Sequence, residues 1–336
     1  MKISFVIPAY NEEDRIAKCL DSICAQAKKY PGLTEIIVVN NASTDRTKEI
    51  ASRYAAVKVV DEFEKGLVQA RRAGFLFSSG DLIANIDADT FLTPGWLDTV
   101  FREFALNPKL VGLSGPFKYH DLPKRFNVVV SIFYRIGYVS YLLNRFVLRV
   151  GSMLQGGNFI VTRVGLEEIG GYDTSIGLYG EDVDIARRLN SAGDVKFTFK
   201  LPIYASGRRV AKEGLFTTGF RYGATYLSMI FLKRPIYKSH VDIRLKEDGL
   251  LTHVPANKKH ELITAAVTLT IATLILGTLV TALYYVGTRA VFPALIVNEA
   301  KAVTKKLGAK VGNNISRISK KTKNSLENTF KKLDTD

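Results

Sequence analysis

Apolar residues run from Ile3 to Ile7, stop at Pro8 and give way to a polar turn holding Asn11, Glu12, Glu13 and Asp14; Ile16, Leu20 and Ile23 then recur at the spacing of one helix face. This pattern predicts a buried strand, a turn and a helix. A second unit follows, with Glu35–Val39 as a β-branched strand, Asn40–Asp45 as a turn and a helix from Thr47 onward. A strand over 57–60, a helix over 66–78 and a strand over Leu82–Ile86 continue the alternation. Such a series predicts an α/β fold, with a mainly parallel sheet and helices on both faces. Ligands of such sheets bind beyond the carboxyl ends of the strands, so the turns after Ile7, Val39 and Ile86 are expected to face one crevice.

Beyond Pro94 the alternation fades. Residues 126–150 are strongly apolar yet carry Arg135, Arg145 and Arg149, and a charge at a bilayer centre costs about 2.5–3.5 kcal/mol on insertion scales. The segment is therefore expected to lie in a membrane interface, with its arginines at headgroup level; a buried helix pair with arginines at its rim is the alternative. Residues 215–237 have the same character. From Leu262 to Gly287 there are 26 residues without a charge, enough to predict a transmembrane helix. In the lysine-rich stretch 301–336, Val303, Leu307, Val311, Ile315 and Ile318 recur at helical spacing, which fits either a basic amphipathic helix on a membrane or a solvated tail. The expected organisation is a catalytic domain over 1–245, a linker over 246–261, the span over 262–287 and the tail over 288–336.

Charge sharpens this picture. The net charge of +15 is spread over arginine-bearing aromatic segments and the lysine-rich tail, not gathered into a nucleic-acid motif, so anionic membrane lipids are the expected partner and nucleic acid is not. Cys19 and Cys24 are the two cysteines; five apart on one helix, they form neither a disulfide framework nor a metal-binding spacing, which fits a reducing compartment. The opening MKISFVIPAY lacks the features of a secretory leader, and the catalytic domain is expected at the cell membrane, facing the cytosol.

The sharpest chemical signal is Asp87-Ala88-Asp89, at the end of an apolar strand and before the turn Thr93-Pro94-Gly95. Two carboxylates so placed can converge on a divalent cation bridging the phosphates of a diphosphate. A lone Asp-x-Asp is common in surface turns, and the turns Pro8-Ala9-Tyr10-Asn11-Glu12 and Asn40-Asn41-Ala42-Ser43-Thr44-Asp45 taken singly would be ordinary helix caps, with Asn11, Ser43 and Thr44 as capping residues. Together, in this order, they resemble the family 2 glycosyltransferases of the GT-A (Rossmann-like) fold. Further on, Lys65-Gly66 with Ala70-Arg71, Gln155-Gly156-Gly157-Asn158-Phe159 and Tyr179-Gly180-Glu181-Asp182-Val183-Asp184 resemble three more of the family's segments. The resemblance covers residues 1 to 210.

It implies that Pro8, Tyr10, Glu12, Asn41 and Asp45 shape the nucleotide site, that Lys65 and Arg71 approach the donor phosphates, and that Gly157 lies against the donor sugar. It also implies that Asp87 and Asp89 hold Mg²⁺ or Mn²⁺ with the diphosphate, and that Asp182, beside Glu181, is the catalytic base. Asn41 stands where the family commonly has an acidic residue, and an amide both donates and accepts, so the base of the donor is left open between uracil and guanine. Arg71 reads equally as a solvated charge on a helix face, and Glu181, Asp182 and Asp184 also suit the positive end of a helix continuing through Leu189. Where processive members of the family carry a Gln-x-x-Arg-Trp motif, this chain has Ser206-Gly207-Arg208-Arg209, and its one tryptophan is Trp96; single-sugar transfer is expected, with Arg208 or Arg209 within reach of the diphosphate.

The expected activity is thus inverting, metal-dependent transfer of one sugar from a nucleotide-diphosphate sugar to a lipid-linked acceptor. A dinucleotide oxidoreductase would need Gly-x-Gly-x-x-Gly after the first strand, and a nucleoside triphosphatase a Gly-x-x-x-x-Gly-Lys loop; neither is present. A catalytically inactive membrane scaffold with a glycosyltransferase fold is the rival of another class.

Overall fold

The protein is seen in a computed structural model that describes residues 1–142, 153–176 and 180–231. The stretch Leu262–Gly287, the linker 246–261, the tail 288–336 and the ends of the two aromatic segments (143–150 and 232–237) lie outside the described residues. Among the described residues no helix is long and apolar enough to cross a membrane. The expectation of a fold completed by a transmembrane helix is corrected to a mixed α/β fold with a largely parallel sheet. The longest described helices, of 19 and 17 residues, fall short of the roughly 20 predominantly apolar residues a span requires and are interrupted by Arg135 and Arg221.

Seven strands form the main sheet: β1 (Ile3–Ala9), β2 (Thr34–Asn41), β3 (Val57–Glu62), β4 (Leu82–Ile86), β6 (Leu110–Ser114), β8 (Asn158–Thr162) and β9 (Asp194–Phe197). Their order is β3-β2-β1-β4-β8-β6-β9, and β8 alone runs against the others. Because β2, β1 and β4 are parallel neighbours, their carboxyl ends lie side by side, as the three expected turns require.

Alternation along β1 sorts the core. Ile3, Phe5 and Ile7 face one side, where they meet α1 (Ile16–Ala27) through Ile16, Leu20 and Ile23 and α4 (Trp96–Leu106) through Trp96, Leu97 and Val100. Val6 faces the other side with Ile37 and Val39, against Val68, Ala70 and Ala73 of α3 (Leu67–Phe77), Leu166 of α6 (Arg163–Glu168) and Ile185, Ala186 and Leu189 of α7 (Glu181–Leu189). The short α2 (Thr47–Ser52) closes the second turn. Period-2 strands buried on both faces thus supply both layers of the core.

A second sheet orders β5 (Thr90–Leu92), β10 (Ile203–Ala205) and β7 (Phe117–Tyr119) as β5-β10-β7. Ala205 pairs with Thr90, which brings the residues after β10, including α8 (Arg208–Glu213), to the end of β4. The outer edge of β7 is covered by α5 (Lys124–Leu142) in an unusual manner. Asn127 accepts the N–H of Tyr119 at 2.9 Å and donates to its carbonyl at 2.7 Å, while the Tyr134 hydroxyl accepts the N–H of Phe117 at 3.1 Å. Two helix side chains take the part of an absent strand. The last described helix, α9 (Leu215–Phe231), packs on α7 and α8.

Candidate active site

The first two turns are knitted to each other. The N–H of Asn11 donates to Ser43 Oγ at 3.2 Å, the N–H of Thr44 to Asn11 Oδ1 at 2.8 Å, and the N–H of Glu12 to Thr47 Oγ1 at 2.8 Å. Asn11, Ser43 and Thr44, which taken singly would read as helix caps, instead bond from one turn to the other; the residues before α1 and α2 are Arg15 and Arg46, without side-chain caps. Asn11 and Ala42 hold left-handed conformations at φ 52° and 57°, strain of the kind that tight turns at ligand sites retain.

Asp45 accepts the N–H of Thr47 at 2.9 Å, its hydroxyl at 2.5 Å and the N–H of Glu13 at 3.1 Å. Burial raises its pKa, but these donors outweigh burial and lower it below the usual range. Asn41 donates to the carbonyls of Glu62 and Glu64 and accepts the N–H of Gly66. Both side chains thus brace the loops at this end of the crevice. Pro8 lies in β1 opposite Val39. Lys65 Nζ sits 3.8 Å from the centre of the Tyr10 ring, a cation held on an aromatic face at the mouth of the same half.

At the end of β4, Asp87 faces the chain entering β8. Gly157 has φ 77°, and a Cβ there would collide with the Asp87 carboxylate, so only glycine lets this backbone come so close. The neighbouring Gly156 donates its N–H to Asp182 Oδ2 at 2.8 Å. Arg208 Nη2 lies 3.0 Å from Asp89 Oδ2, and the same guanidinium pairs with both oxygens of Glu12. Burial works against the Arg208 charge, yet Asp89 and Glu12 raise its pKa further. The turn before it is held by Asp121, which accepts from Ser206 Oγ and the N–H of Gly207. Arg208 was expected at the donor diphosphate; its observed partners join the first turn to the Asp-x-Asp turn. Arg71 does not reach the crevice surface: it is 0% exposed and pairs with Asp87 and Glu181.

The three acids that open α7 have separate surroundings. Glu181 is bound by Arg71, whereas Asp184 is held by Arg187 at 2.8 Å and Arg188 at 2.7 Å. Asp182 accepts N–H groups from Gly156 and Val183 and has no ion pair among the described residues. Burial raises its pKa above the usual carboxylate range, against the opposing pull of the Gly156 N–H and the Arg71 charge. A half-buried carboxylate whose proton affinity is raised is suited to receive a proton.

Among the described residues no three His, Cys, Asp or Glu side chains are grouped so as to hold a metal by themselves. A site of two carboxylates does fit Mg²⁺ or Mn²⁺ when substrate phosphates complete the shell. Asp87 and Asp89 supply those two, and glycine at 157 lets the Asp87 carboxylate lie where a side chain would otherwise stand.

Other residues frame the site through contacts that no motif reports, including Asn158 of the Gln155–Phe159 segment. Asn158, 0% exposed, accepts from Trp96 Nε1 and donates to the carbonyls of Gly115 and Leu201, each at 3.0 Å. Ser114 Oγ accepts the N–H of Gln155 and donates to the Asn158 carbonyl, both at 2.8 Å. Tyr134 donates to Gln155 Oε1 at 2.9 Å. They fix the turn that presents Gly156 and Gly157, and their partners lie 17 to 62 positions away, beyond any local pattern.

Residues 4–170 match the family described as Glycosyl transferase family 2. Over 96 residues the chain is 42% identical to a dolichyl-phosphate beta-glucosyltransferase (ALG5C) of Trichomonas vaginalis, covering 26% of this chain and 28% of that protein. Over 218 residues it is 30% identical to the probable glycosyltransferase YdaM of Bacillus subtilis, covering 57% and 47%. The chain thus spans less than half the length of these curated relatives. A solved structure of similar fold is the mannosyltransferase PcManGT from Pyrobaculum calidifontis in complex with GDP-Man and Mn²⁺, with a TM-score of 0.54, 22% identity and coverage of 90% of this chain and 79% of that one. The parallel strand ends, the Asp-x-Asp turn against a glycine pair and this family match over 4–170 agree, and the chain belongs to the family 2 glycosyltransferases of the GT-A fold.

Proposed function

We infer that the protein transfers a single sugar, with inversion, from a nucleotide-diphosphate sugar to a lipid-linked acceptor at the cytosolic face of a membrane. The observation that carries this reading is the glycine pair: Gly157 packs on Asp87 while Gly156 holds Asp182 by its N–H. A carboxylate suited to the donor diphosphate and a carboxylate suited to take a proton meet on two consecutive residues.

The acceptor hydroxyl oxygen bonds to the anomeric carbon as the bond from that carbon to the diphosphate oxygen breaks. The hydroxyl proton passes to Asp182, and the nucleoside diphosphate departs. With a lipid phosphate as acceptor, already ionised, Asp182 orients it instead. Asp87 and Asp89 are the residues that would hold Mg²⁺ or Mn²⁺, which when bound offsets charge developing on the leaving diphosphate. Arg208 adds a fixed cation beside them. The Mn²⁺ and GDP-Man of the Pyrobaculum calidifontis enzyme support the same donor class and metal.

Two observations support a lipid acceptor. The Trichomonas vaginalis relative is named for dolichyl phosphate. On α5, Val128, Ile132, Ile136 and Val139 are 40 to 61% exposed and recur every three or four residues, an apolar stripe suited to a bilayer interface. Nucleotide sugars are cytosolic, which sets the side.

The test is a panel of nucleotide sugars given to purified protein with Mn²⁺ or Mg²⁺, scored by released nucleoside diphosphate. Release with one donor, raised by a polyprenyl phosphate or glycolipid acceptor and stopped by EDTA, is expected. No release from any donor would leave the inactive scaffold as the better reading.

A further inference from the structure

Arg71 occupies a position that donor binding does not explain. It lies on α3, beneath the crevice, with its side chain 1% exposed. Nη2 donates to Asp87 Oδ1 at 3.1 Å, Nη1 pairs with the Glu181 carboxylate, and the guanidinium carbon lies 5.2 Å from the centre of the Phe159 ring. Those partners come from the end of β4, the first turn of α7 and β8, and among the described residues no other ion pair joins the end of β4 to α7. Glu181 is itself only 4% exposed.

Removing an arginine and a glutamate from water is expensive, and apolar side chains of similar volume commonly serve stability as well or better. What a buried guanidinium adds is geometry, since its rigid planar fork fixes two carboxylates in relation to each other. By engaging Oδ1 of Asp87, it leaves Oδ2 without a hydrogen bond among the described residues. By engaging Glu181, it fixes the residue that precedes Asp182.

On the basis of the glycosyltransferase reading above, we propose that Arg71 is a positioning residue, a buried clamp that aims Asp87 Oδ2 at the donor's cation and holds the opening turn of α7 at a set distance from it. It acts on substrate only through these two carboxylates. The nucleotide half, braced by its own bonds through Asn41 and Asp45, does not depend on it.

The test titrates the full-length protein with Mn²⁺, followed by electron paramagnetic resonance, in the presence of GDP and separately of UDP. It is paired with measurement of nucleotide affinity without metal. Two variants avoid an unpaired buried charge without a partner: Arg71→Lys, which keeps the charge but loses the fork, and Arg71→Met with Glu181→Met, which removes both. Metal-free nucleotide affinity should stay within about twofold of wild type, while Mn²⁺ affinity in the nucleotide complex falls tenfold or more. Arg71→Lys should recover part of that loss, and kcat should drop by more than KM rises. Wild-type Mn²⁺ affinity in both variants, or an equal loss of affinity with and without metal, overturns the proposal. A wild-type protein that binds neither nucleotide overturns the glycosyltransferase reading, and the clamp with it.

Discussion

A residue that must accept a proton gains from a proton affinity nearer the working pH, and the surroundings of Asp182 supply one: burial raises its pKa while the Gly156 N–H and Arg71 keep the charged form accessible. A raised pKa retains the proton to higher pH. The rate should therefore be full above that value and decline as pH falls through it, with an acid limb above the roughly 3.9 of an ordinary aspartate. Folding favours the protonated form of this one group, so its share of stability diminishes as pH rises from the unfolded value through the folded one. A pH profile of kcat/KM whose acid limb sits at or below the ordinary value contradicts the assignment. Asp182→Asn should lower kcat by about a hundredfold or more, with nucleotide affinity little changed by calorimetry. Gly157→Ala adds a Cβ against Asp87 and strains a φ of 77°, so donor affinity should fall at least tenfold in a protein that still melts cooperatively; unchanged donor binding would remove the close approach from the account. At this scale the sequence was a partial guide. Asp87, Asp89 and Asp182 stand in motifs whose order is visible in a linear chain. The bracing roles of Asn41 and Asp45 and the burial of Arg71 depend on contacts 16 or more residues away, or on which way a turn faces, and no spacing rule reports those.

Among elements, the first four strands were legible because each is a β-branched run ending at a polar turn, and the observed β1 to β4 include every stretch expected. Beyond Pro94 the same alternation continues unseen. Gly112 interrupts the apolar run of β6 and Asp194 and Lys196 that of β9, while β8 has an apolar run of three residues between Asn158 and Thr162. The alternative reading of Asn11, Ser43 and Thr44 as helix caps gives way for a related reason: these side chains find partners on the neighbouring parallel strand's turn. The cover over β7 is the element-level feature most open to experiment. Asn127→Ala leaves the N–H and carbonyl of Tyr119 without their partner, a change worth about 1–3 kcal/mol where water cannot replace it. A fall in melting temperature should follow, larger than that of Ser131→Ala on the same helix. Equal melting for the two variants would show that solvent serves the strand edge as well as Asn127 does.

Taken as a whole, the molecule joins a net charge of +15 to an exposed apolar stripe on α5, and on the proposed membrane reading the two would act on a bilayer by different physics. Apolar burial resists salt. Attraction to anionic headgroups, worth roughly 1 kcal/mol per basic residue near the surface, is screened within a Debye length. Full-length protein should sediment with phosphatidylserine-containing vesicles more strongly than with neutral ones, and high salt should erase the difference. Replacing Val128, Ile132 and Ile136 together by serine should weaken binding to both kinds of vesicle; no change in either would assign the stripe some other role.

The direction of β8 has a bearing on how such an enzyme could acquire a new acceptor. Its antiparallel neighbours β4 and β6 finish at the crevice, but β8 begins there, with Asn158 opposite Ile86 at the end of β4. The ligand-facing surface is thus stitched from two kinds of chain: outgoing ends that belong to the nucleotide half, and one incoming stretch that delivers Gly156 and Gly157 from the segment between β6 and β8. A graft replacing residues 116–153 with the corresponding stretch of a relative enters and leaves through Ser114 and Asn158, which already bond to each other. On the proposed lipid-acceptor reading, the apolar stripe of α5 lies inside that graft and the turns after β1 and β2 lie outside it, so a chimaera should exchange the acceptor while keeping the donor.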